Sequence, residues 1–168
     1  RGASVCYNSS NLKYSKMNQE RDADMNAGVE FIKKTALAYD AVCKPLCREL
    51  GLPQTAFDIL MFLANNPEFK TAGDIVNIRR IKPNLVSVNV DRLVRSGYLE
   101  RRSVCGDRRK TLLLPTGQAE PIIRRGRELQ ERFSELMLDG LSAEERERLL
   151  KALEAIGKNL DKVLKENV

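Results

Sequence analysis

The chain has 168 residues, with 29 Lys and Arg against 23 Asp and Glu, a formal charge of +6 and a pI near 9.3. That size suits one domain with appended helices, and 42% hydrophobic with 31% charged residues is the composition of a chain with a packed core. Histidine is absent, which excludes a Ser-His-Asp triad, Cys-His catalysis and His-ligated metal sites; tryptophan is absent too, which disfavours a stacking platform for single strands.

Residues 1–25 are polar without a sustained period and read as a flexible N-terminal extension. They lack the apolar stretch of a secretory signal. No run reaches the length of a membrane span, so a cytoplasmic location with reduced thiols is expected. Residues 26–50 carry Val29, Ile32, Ala36, Tyr39, Cys43, Leu46 and Leu50 at alternating steps of three and four, one face of a helix. Pro45 inside that pattern predicts a kink near residues 41–44, and Gly51 predicts the stop.

Pro53 is expected at the first position of a second, mostly apolar and therefore central helix that ends near Pro67. Thr71 and Asp74 have capping-box spacing for a short third helix to Asn77 or Ile78. Residues 79–82 are a tight connection. Pro83 then opens a fourth helix to about Ser96, with Gly97 as its stop. The period changes at Tyr98. Residues 98–104 and 110–114 read as strands around a turn at 105–108, a β-hairpin. Thr116 is expected to cap a long helix over 117–138, which Asp139 and Gly140 break. Ser142 and Glu145 form a second capping box. A last helix follows with Leu149, Leu153, Ile156, Leu160 and Val163 in line. The fold class is thus mainly α with a small β-hairpin.

Charge is concentrated in one segment. Residues 79–110 hold ten Lys and Arg against three Asp and Glu, whereas the remainder holds 19 against 20. Clustered cations are the footprint of phosphate binding. The short helix, tight turn and following helix make a helix-turn-helix, and the hairpin after it makes it winged, with helix 83–96 as the major-groove reader. At 100° per residue Val86, Val90, Leu93 and Val94 face the core. Asn84, Ser87, Val88, Asp91 and Arg95 lie opposite, where Asn and Ser can bond base edges or phosphates and Val88 can meet a thymine methyl. The same face would also suit an ordinary solvated helix.

Residues 90–120 resemble the MarR family of bacterial transcriptional regulators. The marks are Asp91, Arg92 and Leu93; Gly97 through Arg101; Asp107, Arg108 and Arg109 followed by Thr116; and Gly51, Leu52, Pro53 and Gln54 leading into Phe57 and Leu60. The likeness covers about residues 26–165 in element order. It implies a homodimer with two winged lobes on a palindromic operator. The divisions are then residues 26–50 (first helix, dimerisation), 51–116 (winged helix-turn-helix) and 117–168 (C-terminal dimerisation helices). It also implies a repressor released by a small aromatic or anionic ligand, without catalytic residues, cofactor or metal.

By the same resemblance Arg109 enters the minor groove, beside Arg108 at the wing tip. A planar cation suits a narrow, negative groove. Asp107 holds an Arg or the turn backbone, and Lys82, Arg95 and Lys110 contact phosphate. Val88 stands where many members carry Arg, so base preference does not transfer. Pro115 replaces the usual Leu, so the second wing strand is expected to end early.

Three alternatives stay open from the sequence. A thiol switch at Cys43, with Cys47 one turn on, would be assisted by Lys44 and Arg48. The chain could be a winged-helix protein-interaction module. The apolar stripes of the first and last helices could pack on each other within one chain.

Overall fold

In the computed structural model residues 9–104 and 107–166 are described, with residues 9–25 and 107–110 as backbone alone. Six helices and one two-stranded sheet are present among them. They are α1 (Ser9–Glu49), α2 (Gln54–Asn65), α3 (Ala72–Arg79), α4 (Pro83–Arg95), β1 (Leu99–Val104), β2 (Asp107–Pro115), a 3₁₀ turn (Gly117–Ala119), α5 (Glu120–Met137) and α6 (Ala143–Glu166).

The first helix starts much earlier than the sequence suggests. Residues 9–25 are helical and continue α1, where a flexible extension was expected. The segment has no Pro or Gly and is rich in Lys, Met, Gln, Glu and Arg. Extending a helix that already exists avoids the costly nucleation step, so a polar stretch of good helix formers joins it without an apolar face of its own. Pro45 sits inside the same continuous helix.

α1 ends as Gly51 dictates. Gly51 has φ +64°, its N–H donates to the Arg48 carbonyl, and the Leu52 N–H donates back to Cys47, a Schellman closure. The same closure ends α4, where Gly97 (φ +76°) bonds Val94 and Tyr98 bonds Leu93. Pro53 is the N-cap of α2, one residue outside the helix where the first helical position was expected, while Pro83 does take the first turn of α4. Both capping boxes form: Thr71 with Asp74, and Ser142 with Glu145.

α2 is the centre of the core. Phe57, Ile59, Leu60, Met61 and Leu63 are buried, as are Leu46 of α1, Ile75 of α3, Val86, Val90 and Leu93 of α4, Leu99 and Leu113 of the sheet, and Ile122 and Ile123 of α5. The core therefore belongs to residues 43–123. The apolar residues of α6 take no part: Leu153, Ile156 and Leu160 are each about half exposed. The α1 stripe divides, with Cys43 and Leu46 buried but Val29 and Ile32 open to solvent. Packing of these two stripes on each other within one chain is thus not what the structure shows.

β1 and β2 pair antiparallel from Leu99 opposite Pro115 to Ser103 opposite Thr111, with a register shift after Ser103. The second strand reaches Pro115, contrary to the early end expected. Proline is tolerated at a strand terminus because a missing N–H there breaks no interior rung of the ladder. Thr116 then turns its hydroxyl away from the helix it was expected to cap, donating to the Gly97 carbonyl at 2.5 Å, while its N–H donates to Tyr98. A hydroxyl that closes the sheet onto the end of α4 is not available to a helix start.

Candidate nucleic-acid interface

The fold separates α4 into two faces. Val86, Val90 and Leu93 are buried against α2, and Asn89 is buried with its amide donating to the Leu85 carbonyl at 2.8 Å. Asn84, Ser87 and Val88 are exposed, with Lys82 exposed just before the first turn. An exposed valine between Asn84 and Arg95 on an otherwise polar face offers a methyl contact flanked by hydrogen-bonding groups.

Two of the residues grouped on that face by helical spacing are already engaged. Asp91 accepts from the Arg101 guanidinium of β1, an ion pair that clips the wing strand to α4. Arg95 lies back along its own helix, its Nε donating to the Asp91 carbonyl at 3.3 Å, although the residue stays exposed. Spacing alone gives the angle of a side chain around its helix; it does not reveal the strand packed beside it. On the other face of β1, Arg102 pairs with Glu100. Two of the segment's ten cations are thereby neutralised by near neighbours.

The 105–106 turn and the side chains of Asp107, Arg108, Arg109 and Lys110 lie outside the described residues. The backbone of 107–110 belongs to β2, so the four are carried on the wing strand.

A second feature lies behind the helix-turn-helix. Tyr39 of α1, Asp58, Asn65 and Asn66 of the α2 region, Arg79 of α3 and Gln130 of α5 line a cavity of about 100 Å³. A chain of side-chain bonds frames it. Arg127 donates to Asn65, Asn65 to Gln130, and Gln130 to the Tyr39 hydroxyl at 2.9 Å. On the neighbouring side the Cys47 thiol donates to Gln54, which donates to Asp58 at 3.1 Å. Burial raises the Asp58 carboxyl above its ordinary range, against the lowering effect of Gln54 and Arg79. Burial likewise pushes the Tyr39 hydroxyl up to about 12.

Cys43 and Cys47 are free and buried at this cavity's edge. Burial raises both thiols, Cys47 to about 11, and the Asp58 and Asp40 carboxylates add to the rise. The sequence suggests Lys44 and Arg48 as thiolate stabilisers. Both instead point to solvent, on the far side of the helix from the apolar stripe, and the thiols stay protonated near neutral pH. Among the described residues no cluster of acidic and thiol side chains is placed to hold a metal ion, and no helix is long and apolar enough to cross a membrane.

Comparison with known proteins gives a consistent fold. Residues 50–110 match the model of the MarR family. No curated protein matches the chain. Among solved structures, a Listeria monocytogenes protein described as a MarR-family transcriptional regulator in complex with 26-mer DNA superposes with a TM-score of 0.71 at 21% identity, over 79% of this chain and 87% of that one. A MarR transcriptional regulator from Methanosarcina mazei gives 0.68 at 15% identity, over 84% and 99%. A MarR protein from Peptoclostridium difficile gives 0.60 at 20% identity, over 96% of both chains. These likenesses establish the winged-helix fold and its flanking helices.

Proposed function

Residues 50–110 being a MarR-family winged helix-turn-helix, we propose that the chain is a transcriptional regulator that binds palindromic double-stranded DNA as a homodimer. α4 lies in the major groove and the wing, with Arg109, at the minor groove. The observation that carries this reading is the division of α4: an apolar back locked into the core and an exposed Asn84, Ser87 and Val88 face, with Lys82 at its start. Such a helix presents a rigid, hydrogen-bonding surface to base edges while nearby cations hold phosphate.

Homodimerisation is supported by the apolar faces of α1 and α6, which a single copy leaves open. Two copies related by a two-fold axis would present two α4 helices to a two-fold operator. The chain acts as a repressor in this reading, released by a small aromatic or anionic ligand. The cavity between α1, α2 and α5 supports that step, because Arg79 lines it and also closes α3, so a ligand there touches the helix-turn-helix directly.

Selection of bound fragments from the source genome supplies the operator. On that operator Arg109→Ala should weaken binding at least about tenfold in a gel-shift titration, the loss expected of a deleted groove cation. Equal affinity for both proteins would remove the wing from the interface.

A further inference from the structure

Arg80 is the one described residue other than glycine whose φ is positive, +53°, in the left-handed cap that ends α3. A β-carbon there crowds the neighbouring carbonyl, a strain that glycine avoids and asparagine tolerates. The side chain returns nothing to the fold: it is exposed and makes no hydrogen bond or ion pair among the described residues. Its neighbour Arg79 has a structural occupation, lining the cavity beside Asp58 and lowering that carboxyl. Arg80 stands instead in the turn that leads to Lys82 and the exposed start of α4. A long cation kept at a position that disfavours it, without internal partners, is a residue held for something outside the chain.

We propose that Arg80 is a DNA-phosphate contact, pinning the helix-turn-helix turn to the sugar-phosphate backbone as α4 enters the groove. The inference rests on the DNA-binding reading above. It names a contact that carries no sequence information, so its loss weakens all duplexes alike.

Two variants separate charge from backbone strain. Arg80→Asn suits the left-handed turn and deletes the cation; Arg80→Lys keeps the cation and the strain. Each full-length variant is melted, then titrated by fluorescence anisotropy against a labelled mixed-sequence duplex long enough for two half-sites, over a range of salt. Arg80→Asn should melt at or above wild type and bind about tenfold more weakly at about 50 mM salt, with the slope of log affinity against log salt shallower by about 0.9. Arg80→Lys should keep the wild-type slope. An Asn variant with unchanged affinity and slope overturns the contact while leaving the DNA-binding reading intact. An Asn variant that melts below wild type overturns the claim that the side chain burdens the fold. A wild-type chain that does not bind duplex DNA overturns both readings together.

Discussion

Cys43 and Cys47 show how placement changes the chemistry of a side chain. A thiol reacts as thiolate, and burial among apolar neighbours holds both in the protonated form. The native protein should therefore react with a thiol-selective reagent at pH 7.5 at least about tenfold more slowly at these two positions than after denaturation, read by mass spectrometry of labelled peptides. Rapid native labelling would restore the oxidant-sensing alternative. Asp58 is the corresponding acidic case. Burial raises its carboxyl above the unfolded value, so between those two values the folded chain holds a proton that the unfolded chain has released. Its contribution to stability is full below the ordinary carboxylate range and is lost as pH rises through the folded value. Asp58→Asn keeps an acceptor for Gln54 and should melt above wild type at pH 7, with the gap closing as pH falls to about 4. A gap independent of pH would mean that desolvation of the carboxylate is not its origin.

The junction of α4 with the wing rests on a few short-range closures. Gly97 ends α4 in a left-handed conformation, and a β-carbon on it would lie 2.2 Å from the Gln118 Oε1. Thr116 bonds the Gly97 carbonyl from the far end of β2, and Arg101 reaches Asp91 from β1. Gly97→Ala should cost about 1–2 kcal/mol from backbone strain alone, with more from displacing Gln118. The loss in thermal melting should shrink, but not vanish, in a Gln118→Ala background; an equal loss in both would exclude the side-chain clash. The Asp91–Arg101 pair is about half exposed on both sides, so its worth to stability is small. Its consequence is geometric: it fixes the wing strand relative to the recognition helix. Gly97, Tyr98 and Leu99 are readable as a helix stop and strand start from residue type. The reassignment of Asp91 and Thr116 is not, because each is bonded to a residue at least ten positions away.

α6 has amphipathic spacing but buries no residue in a single copy, and the apolar positions in the upper half of α1 remain open as well. Such contiguous exposed apolar surface marks an association site. The chain should sediment at twice its 19.0 kDa at micromolar concentration, and Leu153→Glu with Ile156→Glu should shift it to monomer without loss of the winged-helix core. A wild-type monomer would overturn the dimer. Equal dimerisation by the double variant would move the interface off α6. Because each half-operator is then read by one copy, the monomeric variant should lose operator affinity far more steeply than any single phosphate-contact variant.

Local signals in the sequence are enough for the element order, both capping boxes, the glycine stops, the apolar back of α4 and the concentration of charge between residues 79 and 110. Each depends on residues within one or two turns of one another, where propensity and periodicity act directly. Folding in three dimensions settled the rest. It carried α1 back to Ser9, because an existing helix propagates cheaply through polar helix formers. It sent Asp91 to Arg101 and Thr116 to Gly97, because packing brings distant partners within bonding distance. It divided one continuous stripe on α1 into a buried half and an exposed half, because only residues 43–50 meet α2. It also left Arg80 strained and without an internal partner. A periodic apolar face announces that a surface will be covered; which surface covers it depends on where the rest of the chain, or a second copy of it, comes to lie.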